Sequence, residues 1–146
     1  MDKTQLLALL DEAYDKNSWH GTNLRGSLRG VDEIRAAWRA APGRHNIWEI
    51  TLHAAYWKYA VRRRLTGEKR GSFALKGSNW FPRPDGASSW PSALRLLAGE
   101  HRQLRAAVSL AKLDAKSARL IRGIAAHDLY HAGQIQLLKR LHAAQV

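Results

Sequence analysis

The segment His127-Asp128-Leu129-Tyr130-His131-Ala132-Gly133-Gln134 lies near the C-terminal end of the chain. Its two histidines stand four residues apart inside a helical pattern, about one turn, so both imidazoles leave the same face. That spacing lets two ring nitrogens reach one metal ion, and neither histidine is needed to fill a core. The chain has no cysteine. A disulfide framework, a thiolate ligand and a cysteine nucleophile are therefore excluded. Any metal site must use His, Asp, Glu or water.

The elements that position these residues follow from hydrophobic periodicity. Residues 3–16 carry Leu6, Leu7, Leu9, Leu10, Ala13 and Tyr14 as a helical stripe that Asn17-Ser18 ends. Residues 19–30, with Gly21, Gly26 and Gly30, read as a loop, and 31–41 as a short helix closed by Pro42-Gly43. Asn46 is a good N-cap, and Glu49 three residues on completes a capping-box pattern. The helix it opens is expected to reach Leu65, with Thr66-Gly67 as its stop. At about 100° per residue, Glu49, His53, Trp57, Ala60 and Arg64 share one of its faces. Residues 67–90 form a long connection, of a length often used for function. Its Phe73, Trp80, Phe81 and Trp90 require that part of it packs. Pro91 fits the first turn of a third long helix ending near Leu110, striped by Leu94, Leu97, His101, Leu104 and Val108. A last helix over 116–143 puts Leu120, Ile124, His127, His131, Gln134, Leu138 and Leu141 on one broad face. Four long helices, without a strand pattern or an internal repeat, predict one all-α domain over residues 1–146, a four-helix bundle.

A bundle core is a usual place to build a metal site from facing helices. If the face of His53 meets that of His127 and His131, three neutral nitrogens result, with at least one position open for water. A metal-bound water loses a proton near neutral pH and becomes a nucleophile. The bland readings stand beside this one. An H-x-x-x-H pair also occurs in helices without a metal, and His53 alone could be a hydrogen-bonded core histidine. Glu49 is a candidate partner of the site, although its capping role competes. Gln134 is a candidate to hold a ligand histidine. Trp57 and Tyr56 are candidates to line the pocket mouth, with ordinary core packing as the alternative. His20, after Trp19, is a candidate extra ligand or proton shuttle, while His45, His101 and His142 read as peripheral. Asp128 points about 100° away from His127 and is expected to pair with a surface arginine. Gly133 is expected to let another helix approach, and Arg64 to attract an anionic substrate.

The chain holds 24 basic and 12 acidic residues, a net charge of +12. Such a charge draws polyanions, so a basic nucleic-acid-binding module is a rival reading. Its arginines are dispersed, however, and neither a zinc-finger spacing nor an RNP-like aromatic motif occurs, so specific nucleic-acid binding is not expected. No apolar run approaches the ~18 residues that span a bilayer. The N-terminal segment, broken by charges, does not read as a signal peptide, and a cytoplasmic location is expected.

Three stretches resemble the DinB-like (DinB/YfiT) superfamily of metalloenzymes: the loop Ser18-Trp19-His20-Gly21, the helix Ile47-Trp48-Glu49-Ile50-Thr51-Leu52-His53, and the closing run from His127 to Ile135. The order matches too, with one histidine on the second long helix and the H-x-x-x-H pair on the fourth. The similarity covers almost the whole chain. It implies a four-helix bundle of variant up-and-down topology, and a divalent metal, zinc or nickel, on a triad of His53, His127 and His131. Some relatives are thiol-dependent transferases or isomerases using low-molecular-weight thiols, some resemble hydrolases, and many have no known activity. A small-molecule substrate and a homodimer are the implied partners. The stress-response association in the family name concerns expression, not chemistry. A third reading keeps the triad and makes the protein a non-catalytic, metal-stabilised scaffold.

Overall fold

Each long helix opens on a side-chain cap that satisfies one of its free N–H groups. The computed structural model describes residues 1–82 and 89–145. Within them lie α1 (Lys3–Tyr14), α2 (Leu24–Ser27), α3 (Glu33–Ala37), α4 (Ile47–Thr66), α5 (Trp90–Leu110) and α6 (Ala115–Ala143), and no strand. The carboxylate of Asp2 accepts from the Gln5 N–H, Asn46 from Glu49, Ser89 from Ser92 and Asp114 from Ser117. Gly67 ends α4 at φ 77°, the left-handed conformation that favours glycine.

Contacts between the helices set their directions. Trp48 packs on Trp90 and, farther along both helices, Arg62 reaches Glu100, so α4 and α5 run parallel. Lys3 donates to the Ser109 carbonyl while Arg105 pairs with Asp11, so α1 runs against α5. His53 meets His131 while Lys58 meets Asp128, so α6 runs against α4. A parallel neighbour pair needs a long crossover, and residues 67–89 connect the two. This is the variant up-and-down order, a four-helix bundle with α2 and α3 added between α1 and α4.

Two apolar clusters fill the interior. One gathers Trp48, Ile50, Leu52, Trp90, Leu97 and Ile135, with Phe73, Trp80 and Phe81 of the crossover against it. The other gathers Leu6, Leu10, Val61, Leu104, Val108 and Ile121. Each such aliphatic side chain contributes about 1.5–3 kcal/mol on full burial. Within residues 19–30, expected as loop, the structure forms α2, nucleated by the Asn23 side chain accepting from the Gly26 N–H. The helix expected over 31–41 is only α3, because Trp38 turns to extended backbone. Among the described residues no helix is long and apolar enough to cross a membrane.

Candidate metal centre

His53 comes from the first half of α4, and His127 and His131 from one face of α6. Nε2 of His127 lies 3.1 Å from Nε2 of His53 and 3.1 Å from Nε2 of His131. One ligand atom from each ring falls within 4.8 Å of the others. The Nδ1 of His53 donates to the Asn79 carbonyl at 2.8 Å, and the Nδ1 of His131 to Oε1 of Gln134 at 2.7 Å. Both acceptors demand a proton on Nδ1, which leaves a lone pair on Nε2 in each neutral ring. His127 has a buried Nδ1 with no hydrogen-bond partner among the described residues.

Burial keeps these rings neutral. It pushes His53 down to about 4, helped by the nearby His131 and His45 and opposed by the bond to Asn79. It pushes His127 down to about 3, with His131, His53 and Lys58 adding to the effect. His131 is lowered chiefly by burial, against its bond to Gln134. A single proton on His127 can serve only one of the two facing lone pairs, whereas a cation between the rings can serve all three nitrogens. The donor set fits a borderline-soft divalent ion such as zinc or nickel. Nitrogens about 2.0–2.1 Å from one tetrahedral ion stand roughly 3.3 Å apart, near the spacing seen here.

The crossover supplies parts that periodicity does not reveal. Asn79 holds φ 68°, a conformation that asparagine tolerates better than most residues. Its backbone oxygen takes His53, and its side-chain oxygen takes the indole N–H of Trp57 at 3.0 Å. Trp80 stacks on His53 with centroids 3.8 Å apart, and on His45 with centroids 3.5 Å apart. Glu49 closes this layer. Its carboxylate accepts from His45 at 2.8 Å and from Arg39. Burial alone would raise the Glu49 carboxyl, but the bonds from Arg39 and His45 outweigh it and hold the group below the usual range.

A second polar cluster lies behind the histidines. Lys58 Nζ stands 2.5 Å from Asp128 Oδ2 and 3.2 Å from His101 Nδ1, and lies over the Tyr14 ring. His101 stacks on Tyr14 at 3.7 Å. Burial raises Asp128 to about 6 against the pull of Lys58, and lowers Lys58 against the pull of Asp128. Burial also pushes His101 down to about 2, reinforced by Lys58 and Arg105, and raises Tyr14 to about 12.

Several expectations change. Asp128 is fully buried against Lys58 and makes no surface arginine pair, because α6 packs on α1 and α2 as well as α4. His101 is buried, not peripheral, and belongs to that same network. Asn46 caps the Glu49 N–H, but the Glu49 carboxylate turns to Arg39 and His45 and does not complete a capping box. His20 is exposed and bonds Ser18 at 3.1 Å, outside the group of three. Gly133 is exposed, and a Cβ there would meet nothing within 4 Å, so no helix approaches it. Tyr56 packs among Tyr59, Phe73 and Phe81. Trp57 is half-buried beside His53 and His127. Asn79, Trp80, His45 and Lys58 were not anticipated. The only signal for the first two was the aromatic content of the crossover.

A cleft of about 470 Å³ opens beside His127, walled by Trp57 and Val61 of α4 and by α6. Arg64 is exposed and does not line it. A wider cleft of about 950 Å³ lies between α1, α2 and α5 and contains none of the three histidines, so size alone does not mark the site.

The sequence profile of the DinB superfamily matches residues 17–135. No curated protein and no solved structure gave a significant match.

Proposed function

The chain belongs to the DinB superfamily, and on that premise we propose that it is a metal-dependent enzyme whose divalent ion, zinc or nickel, sits on His53, His127 and His131. The supporting observation is the approach of three Nε2 atoms, His127 standing 3.1 Å from each of the other two, while the rings of His53 and His131 have already committed Nδ1 to protein acceptors. A divalent ion held there supplies Lewis acidity and makes a bound water acidic enough to ionise near neutral pH.

The chain's own residues do the rest. The Asn79 carbonyl and Gln134 hold the Nδ1–H groups, which fixes ring orientation and raises the basicity of Nε2. Trp80 covers one face of His53 and keeps water from it. Among the described residues no hydroxyl or carboxylate bonds a triad ring, and the chain has no cysteine. In this reading the nucleophile comes from solution. Water gives hydrolysis, and a low-molecular-weight thiol gives transfer of the thiol to a small electrophile. Small molecules, not nucleic acid or membrane, are the partners in this reading, and two copies pair as a homodimer.

Element analysis of protein purified without a histidine tag tests it. Close to one equivalent of zinc or nickel is expected, lost in His53→Ala while the helical circular dichroism stays. Less than about a tenth of an equivalent, not restored by dialysis against either metal, overturns the reading. A metal-loaded protein that turns over neither esters nor electrophiles with thiols, and in which His53→Ala only lowers the melting temperature, favours the non-catalytic scaffold.

A further inference from the structure

The cleft beside His127 is ordered along its length. On α6, Lys116, Arg119, Leu120, Gly123, Ile124 and His127 recur at steps of three and four residues and face it as one stripe. Trp57 and Val61 of α4 form the opposite wall. His127 marks one end and two cations mark the other. With a rise of 1.5 Å per residue, Arg119 stands about 12 Å and Lys116 about 16 Å along the helix axis from His127. Between the two ends, the lining side chains are all apolar.

Two details make this more than a solvated helix face. No acidic residue lines the cleft, and among the described residues neither Lys116 nor Arg119 makes an ion pair. Asp114, two positions before Lys116, caps α6 through the Ser117 N–H, attracts Lys116 without a close ion pair, and lies outside the lining. Gly123 has no side chain at the middle of the stripe, and a Cβ there would meet nothing within 4 Å. A ligand body can thus lie against the α6 backbone.

We propose that this cleft receives an elongated amphiphilic anion. Its carboxylate, sulfonate or phosphate group is held by Lys116 and Arg119. Its alkyl or aryl body lies on Trp57, Val61, Leu120 and Ile124. Its far end carries the group that reacts beside His127. The reacting end rests on the metal-dependent reading above, whereas the binding of body and head group does not. A nucleic acid strand is a poor occupant, since a row of phosphates has no use for four apolar side chains between the cations and the histidine. The cations also replace Arg64 as the residues that draw an anion toward the site.

Calorimetric titration with decanoate, on metal-free and on metal-loaded protein, tests the assignment. Decanoate is expected to bind the metal-free protein, and decan-1-ol to bind it more weakly. The double variant Lys116→Glu/Arg119→Glu should weaken decanoate by about tenfold, the effect of reversing two exposed charges. Its fold is safe, because acidic residues suit the first turns of a helix. Gly123→Leu should block decanoate altogether and raise the melting temperature, since leucine is the better helix former and finds open space. Unchanged affinity in both variants overturns the proposal. So does binding that requires the metal and ignores the charge reversal, because the carboxylate then sits on the ion and not at the rim. Decanoate binding with no metal in the element analysis would remove the enzyme reading and leave the cleft. Metal present with no decanoate binding would do the reverse.

Discussion

Two buried polar clusters share α4 and α6 and meet at adjacent residues, His127 and Asp128. They solve opposite problems. Around Lys58, unlike groups gather: an ammonium 2.5 Å from a carboxylate, an imidazole nitrogen at 3.2 Å and an aromatic face. Charge is answered inside the fold. Around His53, like groups gather: three neutral imidazoles with Nε2 atoms turned on one another. One proton on Nε2 of His127 can serve only one of its two neighbours, so at least one of these lone pairs goes unanswered, while the opposite edges of two of the rings are held by Asn79 and Gln134. Burial of polar groups is common to both and distinguishes neither. Convergence of more lone pairs than one ring proton can serve distinguishes the histidines.

Breaking the first cluster should have the largest effect on the fold. Lys58→Met strands a fully buried carboxylate and should cost about 3–5 kcal/mol in urea unfolding, whereas Lys58→Met/Asp128→Leu should recover most of it. Both variants should keep the metal stoichiometry of the parent. An equal loss in the double variant would mean that the pair is not the source of the effect.

The second cluster should respond to metal instead. Excess zinc or nickel at about a hundred times its dissociation constant should stabilise the parent by about 2.7 kcal/mol, read as a rise in melting temperature. His53→Ala should abolish that rise. A rise that survives in His53→Ala would place the ion elsewhere.

Acid should separate the clusters further. The folded His101 protonates only near pH 2, against about 6.5 unfolded. As pH falls below 6.5 the unfolded chain takes the proton first. Stability is therefore complete above that pH and declines toward pH 2, with a slope approaching about 1.4 kcal/mol per pH unit for this one group. His101→Phe keeps the stack on Tyr14 and should flatten the slope by one proton in urea unfolding between pH 6 and 4. An unchanged slope would show that His101 is charged in the fold.

The smallest effect is expected outside both clusters. Gly133→Ala, at an exposed helical site with open space for a methyl group, should stabilise by up to about 1 kcal/mol without altering metal content. A loss of stability there would restore the close helix approach that the structure does not contain.

How much could be read in advance depended on the kind of interaction. The long helices were legible to within a residue or two because caps and periodic apolar residues act over one turn: Asn46, Gly67 and Pro91 sit where their chemistry requires. His127 and His131 were legible as a pair for the same reason. Asp128 was misread because a helical wheel has one inside, whereas α6 is covered from more than one direction by α1, α2 and α4. Glu49 had two candidate roles at the sequence level, a capping box and a place at the metal site as ligand or supporting acid. The distant Arg39 and His45 took it.

Residue order alone settled the all-helical class, the limits of the four long helices to within a residue or two, the pairing of two imidazoles on one turn and the absence of any thiol, since these depend on covalent identity and on neighbours within about four positions. Only the packed bundle decided that His53 meets that pair, that Asn79 and Trp80 of the crossover hold and cover it, and that Lys58 and Asp128 neutralise each other behind it. Those contacts join residues 26 to 78 positions apart, and proximity over such spans is a property of how helices pack, for which no short-range pattern carries a signal.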